Sequence, residues 1–339
     1  MATAIAWPGG AFSCTRTSSL PIRRISSLSS AGVVKQSRFL RVSRIASSCG
    51  VLFRDVRCDA TMAGKESPLE KSATMNNMNL LVVGPGVLGS LVGRRWLEQY
   101  EGCKVVGQTN TTNRHEELLS LGISPITKDM QSGDKYPYVI FCAPPSGSQD
   151  YVREVRAAAQ RWDGEGSLLF TSSSGVYDVH NNGLCDENAP IIEKGKSPRL
   201  DMLLNAEEEV LKVGGNVVRL AGLYTRDRGA HTFWLQKGSV DARPDHYLNL
   251  IHYEDAADLC IAILKKKIRE QVFMGCDNTP VTRQDIMDIT LQSGKFKGGF
   301  RGFTKSEGPL GKKMNNNRTR EMVEWQPQYH SFGDFINRN

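Results

Sequence analysis

The 339-residue sequence has no long hydrophobic run and no paired cysteines. Its apolar stretches reach only about six to eight residues, whereas a helix needs roughly 20 to cross a bilayer, so we expect no membrane span. The eight cysteines contain no Cys-x-x-Cys pair and are widely spaced. That spacing argues against a zinc site or a disulfide framework. We therefore expect no metal site and predict reduced, mostly buried thiols.

Acidic residues are absent from the first 54 positions, which hold eight Lys or Arg and eleven Ser. Of the net charge of +7, the rest of the chain therefore carries 7 − 8 = −1. A Ser-rich, Arg-bearing, acid-free leader is typical of organelle transit peptides, although a disordered tail without a targeting role has the same composition. We predict a transit peptide at residues 1–60 and localisation in the chloroplast stroma, with the mitochondrion as the alternative.

Beyond a polar linker at 61–77, strand-like and helix-like segments alternate, which predicts a parallel sheet with helices on both faces. After Gly222 the segments become shorter. We therefore predict an α/β fold with a doubly wound sheet, a cofactor domain at 78–221 and a lobe at 222–339 that completes the sheet and a substrate cleft. The basic segment Lys295–Asn317 reads as a solvated loop. The strands predicted for the sheet are Leu80–Val83, Lys104–Gln108, Tyr138–Cys142, Ser167–Thr171, Val217–Leu220 and Gln271–Gly275.

A glycine-rich loop, GPGVLG at Gly84–Gly89, follows the first predicted strand and opens a helical pattern. In a G-x-G-x-x-G loop the first glycine permits a tight turn, the second lets the backbone approach a pyrophosphate, and the third allows close helix packing. Amides at the helix start face the negative charge. We predict nucleotide contacts at Gly84, Gly86, Val87, Leu88 and Gly89. A structural turn without a ligand is the alternative.

The choice of nucleotide depends on the residues after the second predicted strand. An NAD-preferring site places an acid about 20 residues past the glycine loop, but no Asp or Glu occurs here before Glu116. Thr109, Thr112 and Arg114 are available for a 2′-phosphate, which favours NADP over NAD. A plain solvent-facing role for Arg114 stays open.

Ala143 and Pro144 follow another buried strand, Tyr138–Cys142. Loops at the carboxyl edge of a parallel sheet pass beneath the nicotinamide side of a dinucleotide. We therefore add both residues to the candidate cofactor contacts, with an ordinary proline turn as the alternative.

The segment Thr171–Tyr177, TSSSGVY, resembles the extended short-chain dehydrogenase/reductase superfamily. Leu220–Gly222 and a shortened helix resemble in particular its atypical YeeZ-like branch, here with a plastid leader. The resemblance implies a Rossmann fold, NAD(P), a substrate lobe from the C-terminal third, and an NAD-dependent epimerase/dehydratase-like or oxidoreductase activity. Further stretches that carry the resemblance are Asp186–Glu187, Val218–Tyr224, Asn249–Ala257 and Lys313–Trp325.

The resemblance also implies a catalytic Ser or Thr with a Tyr and a Lys four residues apart. Ser173 matches the Ser. Anchoring the helix on Glu207 places Arg199 at the Tyr position and Leu203 at the Lys position. A guanidinium does not release a proton near neutral pH, and Leu203 carries no charge, so the usual acid/base pair is missing.

Replacements for that pair come from residues near the same motifs. We take Ser173 and Tyr177 as catalytic candidates and Arg199 as a candidate contact for an anionic substrate group, although it could equally be a surface cation. His180, His252 and Tyr253 stay open as substitutes for the missing base. Each also has a structural alternative, such as helix capping or core packing.

Two functions of different classes follow. The first is an NAD(P)-dependent oxidoreductase or epimerase/dehydratase-like enzyme with an unidentified small-molecule substrate and slow or unconventional turnover. The second is a non-catalytic NADP(H)-responsive regulator, which requires different affinities for the oxidised and reduced cofactor. A nucleic-acid partner is disfavoured because the body of the chain is nearly neutral. A homodimer is compatible with either function.

Overall fold

The computed structural model describes residues 78–130 and 133–338. The predicted transit peptide (1–60) and linker (61–77) lie outside the described residues. The strands are β1 Leu80–Val83, β2 Val105–Thr109, β3 Ser124–Thr127, β4 Tyr136–Phe141, β5 Trp162–Ser173, β6 Gly183–Cys185, β7 Asn216–Leu220, β8 Gly222–Tyr224, β9 Ser239–Val240, β10 Tyr247–Leu248, β11 Leu250–His252, β12 Val272–Gly275, β13 Val281–Thr282, β14 Gly302–Phe303 and β15 Lys312–Met314.

Nine α-helices lie within the described residues, and none of them is long and apolar enough to cross a membrane. They are α1 Val87–Gln99, α2 His115–Ser120, α3 Tyr151–Ala159, α4 Pro198–Lys212, α5 Ala230–Lys237, α6 Tyr253–Lys266, α7 Arg283–Gln292, α8 Asn317–Val323 and α9 Phe332–Arg338.

Seven parallel strands form the central sheet, in the order β12-β7-β5-β4-β1-β2-β3. Strands β1, β4 and β7 are buried along their whole length, as expected for apolar runs covered on both faces. The strand order reverses direction at β1, between β4 and β2. Ligands of doubly wound sheets bind at such a switch point, outside the carboxyl ends of the strands. The predicted fold class is confirmed.

Alternate side chains of β1 enter two different cores. Leu80 and Val82 belong to the core that contains residues of α1 and α6. Leu81 and Val83 belong to the core that contains residues of α3 and α4. Because successive strand residues point to opposite faces, this one apolar run holds both helix layers on the sheet.

The prediction missed β3 and the short strands in the segment Lys295–Asn317. Strand β3 reads Ser-Pro-Ile-Thr and lies at the edge of the sheet beside β2. Pro125 cannot donate a ladder hydrogen bond, which an edge strand tolerates. The four residues also lack the alternation of polar and apolar side chains that is expected of a strand. The segment predicted as a solvated loop contains β14 and β15, and β15 pairs with β6.

The residues after 222 contribute to the sheet and also form a core of their own. Strand β12 pairs in parallel with β7 and completes one edge of the sheet. A third core lies within this C-terminal part and includes Tyr224, Trp234, Met287 and Phe332. Six strands of the sheet precede residue 222 and β12 is the seventh, so the C-terminal part is joined to the sheet.

Asp277 is a buried carboxyl group just after β12. It is 4% exposed, one carboxyl oxygen accepts the amide of Thr279 at 2.8 Å, and the other has no hydrogen-bond partner among the described residues. Burial raises the pKa of Asp277 to about 7. The folded state therefore holds a proton that the unfolded state releases near its ordinary pKa of about 3.9.

This shift predicts that stability falls with pH. Above the unfolded pKa the unfolded chain binds fewer protons, so the free energy of unfolding drops by at most about 1.4 kcal/mol per pH unit until pH 7. Asp277→Asn removes the titration and keeps an acceptor for Thr279. We expect its melting temperature to match the parent near pH 4 and to exceed it progressively up to pH 8.

Asp163→Asn is the matched control, because Asp163 is exposed and accepts the amide of Glu165 with the same spacing. Its melting curve should follow that of the parent at every pH. Equal melting temperatures of Asp277→Asn and the parent from pH 4 to pH 8 would contradict the expectation.

Candidate functional site

The glycine loop lies where β1 ends and α1 begins. Gly84 has φ +79°, and a Cβ there would lie 2.5 Å from the backbone of Ala143, so only glycine fits. A Cβ at Gly89 would lie 2.9 Å from both the Gly84 carbonyl oxygen and a Val82 methyl group. At Gly86 the nearest atom would be 4.0 Å away. Two glycines therefore allow close packing, while Gly86 faces open space.

The start of α1 presents backbone amides at this open space. The first intrahelical bond runs from the Ser90 amide to the Gly86 carbonyl, so the amides of residues 87–89 have no acceptor within the helix. The first turn contains no acidic side chain. Unpaired amides and the helix dipole favour an anion at this position.

A cavity of about 200 Å³ lies beside the loop at the carboxyl edge of the sheet. Gly84, Thr109, Ala143 and Pro144, all candidates from the sequence, line it together with residues of the loop after Pro144 and of α3. Lys128, which the sequence analysis did not single out, also lines it and forms an ion pair with Glu154 at 2.7 Å. The cavity lies outside the carboxyl ends of the strands, where doubly wound sheets bind their ligands, and its lining is both polar and apolar.

The Arg114 side chain contacts the glycine loop and is also paired with a carboxylate. Its Nη1 donates to the Pro85 carbonyl at 2.7 Å, and its Nε and Nη2 donate to the two carboxylate oxygens of Glu117. Thr109 donates to the Ile126 carbonyl, and its hydroxyl also lies 2.8 Å from His115 Nε2. Thr112 is exposed. The spacing of the sequence identifies Arg114 as a candidate contact. It gives no sign of the ion pair with Glu117, which partly neutralises the guanidinium charge.

Ser173 ends β5 and caps a 3₁₀ turn at Ser174–Val176. Its Oγ accepts the amide of Gly175 at 3.2 Å. Because a hydroxyl also has one proton to donate, this bond fixes the oxygen and leaves the proton to another acceptor. The arrangement suits a residue that donates a hydrogen bond to a substrate oxygen.

Tyr177 lies in the core beneath this turn rather than on the crevice wall. It is 2% exposed, and its hydroxyl has no hydrogen-bond partner among the described residues. The Arg219 guanidinium lies 4.8 Å from its ring centroid. Burial raises the pKa of Tyr177 to about 12. A catalytic role for Tyr177 stays a prediction, and this burial is unfavourable to it.

Helix α4 carries the positions where the resemblance implies Tyr and Lys. Arg199 is exposed and Leu203 is buried in the core. One turn further, the buried Glu207 carboxylate accepts two donors of Arg219, at 2.7–3.2 Å, and the Ser172 hydroxyl at 2.5 Å. The helix therefore holds a structural ion pair, while its side chains at positions 199 and 203 provide no acid/base pair.

The other candidate bases occupy structural positions. His180 is exposed and bonds Asp178 at 2.8 Å. His252 caps α6 by accepting the Glu254 amide, and burial lowers its pKa to about 4. Tyr253 is buried in the core. Within the described ranges, no group of three or more His, Cys, Asp or Glu side chains could hold a metal ion.

The sequence analysis missed one cation at the Ser173 turn. Lys312 lies on β15, in the segment predicted as a solvated loop, and its Nζ donates to the carbonyls of Ser174 and Tyr177 at 2.8 and 2.7 Å. That expectation was wrong for Lys312, because β15 pairs with β6 and carries the side chain inward. No local signal relates two segments separated by more than 130 residues.

Comparison with solved structures supports the same architecture. No family model matches the chain, and no curated protein does. A functionally unknown conserved protein from Silicibacter pomeroyi matches with a TM-score of 0.63 and 22% identity over 76% of this chain and 96% of its own. A dTDP-glucose 4,6-dehydratase from Bacillus anthracis, solved with NAD, matches with a TM-score of 0.63 and 16% identity over 77% and 94%.

Another similar structure is a putative NAD-dependent epimerase/dehydratase from Methylobacillus flagellatus. Its TM-score is 0.62, with 20% identity over 77% of this chain and 96% of its own. The fold is of the Rossmann type. At these identities the likeness concerns the fold, so the use of the crevice is argued from its residues.

Residues from four parts of the sequence meet at the carboxyl edge of the Rossmann sheet. The glycine loop and the start of α1 provide amides, and the end of β2 with the loop after β4 forms the cavity. The turn after β5 presents Ser173. Unpaired amides and a cavity therefore lie side by side along this edge, whereas acid/base side chains are scarce there.

Proposed function

We propose that this chain binds a nicotinamide dinucleotide at the glycine loop and acts as an oxidoreductase or epimerase/dehydratase-like enzyme of the extended short-chain class. The observation that carries the proposal is the geometry of the loop. Gly84 and Gly89 are closed in by neighbouring atoms, but Gly86 faces open space in front of unpaired amides. If the glycines served only to form a tight turn, open space in front of these amides would not be needed.

The residues present fit the proposed cofactor. Amides of Val87, Leu88 and Gly89 would hold the diphosphate, and Thr109 would border the adenosine. Ala143 and Pro144, which the sequence analysis assigned to the nicotinamide side, line the same cavity as Thr109 and would therefore border the adenosine instead. When bound, the nicotinamide supplies or accepts a hydride.

The chain's own contribution to the chemistry centres on Ser173. Its hydroxyl donates a hydrogen bond to a substrate oxygen and stabilises negative charge there. Because Leu203 offers no amine and the Tyr177 hydroxyl is buried, the proton comes from water, and turnover is slow.

For the cofactor itself, we propose a preference for NADP over NAD. It is supported by Arg114 beside the loop and by the lack of an acid at the end of β2. A 2′-phosphate would compete with Glu117 for the guanidinium.

Arg114→Gln should therefore weaken NADPH binding about tenfold, or roughly 1.4 kcal/mol, and leave NADH binding unchanged. Calorimetric titration of both nucleotides into both proteins measures this. Arg338→Gln is the control, because Arg338 is also a surface arginine paired with a carboxylate, that of Asp334, and lies on α9 away from the glycine loop. Equal losses for NADPH and NADH after Arg114→Gln would contradict the preference.

Titration of the full chain with NAD, NADH, NADP and NADPH, followed by a turnover screen on carbonyl and nucleotide-sugar compounds, tests the function. Ser173→Ala should abolish any cofactor-dependent turnover and preserve cofactor binding. Ser174→Ala, at the neighbouring turn position, should retain both. Equal, weak binding of all four nucleotides would overturn the proposal.

The buried Leu203 and the exposed Arg199 favour a second function, a non-catalytic regulator that responds to the state of the cofactor. Tight binding with different affinities for the oxidised and reduced forms, and no turnover, would support it. Turnover that depends on Ser173 would exclude it.

A further inference from the structure

Lys312 is attached to the turn that carries Ser173 through two hydrogen bonds. Its Nζ donates to the Ser174 carbonyl at 2.8 Å and to the Tyr177 carbonyl at 2.7 Å. It also lies 5.7 Å from the centroid of the Tyr177 ring. These contacts fix an ammonium group beneath the 3₁₀ turn, on the protein side of Ser173.

One of these bonds leads directly to Ser173. The Ser174 carbonyl that accepts from Lys312 and the Gly175 amide that donates to Ser173 Oγ belong to the same peptide group. A donor on the oxygen of a peptide group strengthens the donor character of its amide, because hydrogen bonds in a chain polarise one another. The positive charge of Lys312 is therefore transmitted to Oγ, which becomes less basic while its proton becomes a better donor.

The surroundings leave this charge uncompensated by an ion pair. No carboxylate lies within ion-pair distance of Lys312 among the described residues. The titratable groups that face it are the Cys185 thiol on β6, the Asp178 carboxylate after the turn and the Tyr177 phenol. Burial lowers the pKa of Lys312. Its charge can therefore be removed at a milder pH than that of an exposed lysine.

We propose that Lys312 is a positioning residue for Ser173, which polarises the Ser174–Gly175 peptide and so strengthens the hydrogen bond that Ser173 donates to a substrate oxygen. The proposal rests on the proposed function, because that function supplies the substrate. It gives the chain a cation at the serine in place of the lysine that helix α4 lacks at Leu203. This cation acts through a peptide group and not through a tyrosine.

An NMR experiment on the full chain tests the relay without any cofactor. Only four Ser-Gly pairs occur in the sequence, at 132–133, 146–147, 174–175 and 293–294. Carbonyl-13C serine combined with 15N glycine therefore leaves four correlated amide signals. The signal that disappears in Ser174→Ala belongs to Gly175.

Amide protons exchange too fast with water at high pH, so the Ser174 13C–Gly175 15N correlation is recorded by direct carbon detection. The Gly175 15N resonance should move between pH 7 and pH 10.5, with a midpoint below the ordinary lysine value of about 10.4. Lys312→Met should hold the signal at its high-pH position at every pH. Lys312→Arg should hold it near its low-pH position, because the charge persists. The signals of Gly147 and Gly294 report whether each variant is folded.

A Gly175 signal that does not move in the parent would overturn the relay, as would one that titrates identically in Lys312→Met. If Lys312→Met loses its native spectrum, the titration of the parent against Lys312→Arg decides the question alone. Nucleotide titrations of the same samples test the proposed function separately. A titrating Gly175 amide without nucleotide binding would remove that function and keep the relay.

Discussion

Replacing Gly86 by Val should abolish dinucleotide binding and leave the protein folded. The Gly86 backbone has φ −74°, a value open to any residue, and its Cβ would meet no atom closer than 4.0 Å. The side chain would therefore cost little in the free protein, but it would fill the space in front of the α1 amides. We expect affinity to fall more than about 100-fold, or roughly 2.8 kcal/mol.

Calorimetry with the tightest-binding nucleotide measures the loss, and a thermal melt shows that the fold persists. Gly299→Val is the control, because a Cβ at Gly299 also meets nothing within 4 Å and lies outside the crevice. It should bind like the parent. If Gly86→Val also binds like the parent, the diphosphate does not lie at this loop.

Gly84→Ala should behave differently from both of these variants. The positive φ of Gly84 and the 2.5 Å approach to Ala143 mean that an added methyl would force β1 and β4 apart. Loss of folding is expected there. The comparison separates a glycine required by packing from a glycine required by a ligand.

Replacing Glu207 by Leu should be among the most destabilising changes in the chain. Glu207 and Arg219 are 2% and 6% exposed, and their side chains form a bidentate pair, with Arg219 Nε donating to Oε1 and Nη2 to Oε2. Removing the carboxylate leaves a buried guanidinium without a counter-charge, which costs about 3–5 kcal/mol. The Ser172 hydroxyl loses its acceptor as well.

The urea midpoint measures this loss. Glu208→Leu, on the same helix, removes a carboxylate that is 65% exposed and paired with Lys194, and it should change stability by less than about 1 kcal/mol. The double variant Glu207→Leu/Arg219→Met should recover part of the loss, because neither charge remains. If the Glu207→Leu protein is as stable as the Glu208→Leu protein, the Glu207–Arg219 ion pair does not stabilise the packing of helix α4.

The sheet and the glycine loop could be predicted because their signals are local. Leu80–Val83 is a short apolar run, and the GPGVLG pattern follows it directly. Strand β3 could not be predicted in the same way, because Pro125 removes the usual strand pattern and only the pairing with β2 makes the segment extended.

The candidate site, too, can be predicted only in part. The motif TSSSGVY predicts Ser173, and Arg199 and Leu203 indicate that the usual acid/base pair is missing. The pairing of Arg114 with Glu117 depends on side-chain rotamers, and the contact of Lys312 with the Ser173 turn depends on how β15 docks on β6. Neither follows from spacing along the chain.

The pairing of β12 with β7 has a consequence for folding during synthesis. Synthesis delivers β7 about 50 residues before β12, so the emerging chain has an apolar strand edge with no neighbour. Such edges recruit other chains. A chain truncated before residue 272 would keep the β7 edge uncovered, and we expect such a chain to associate with other copies.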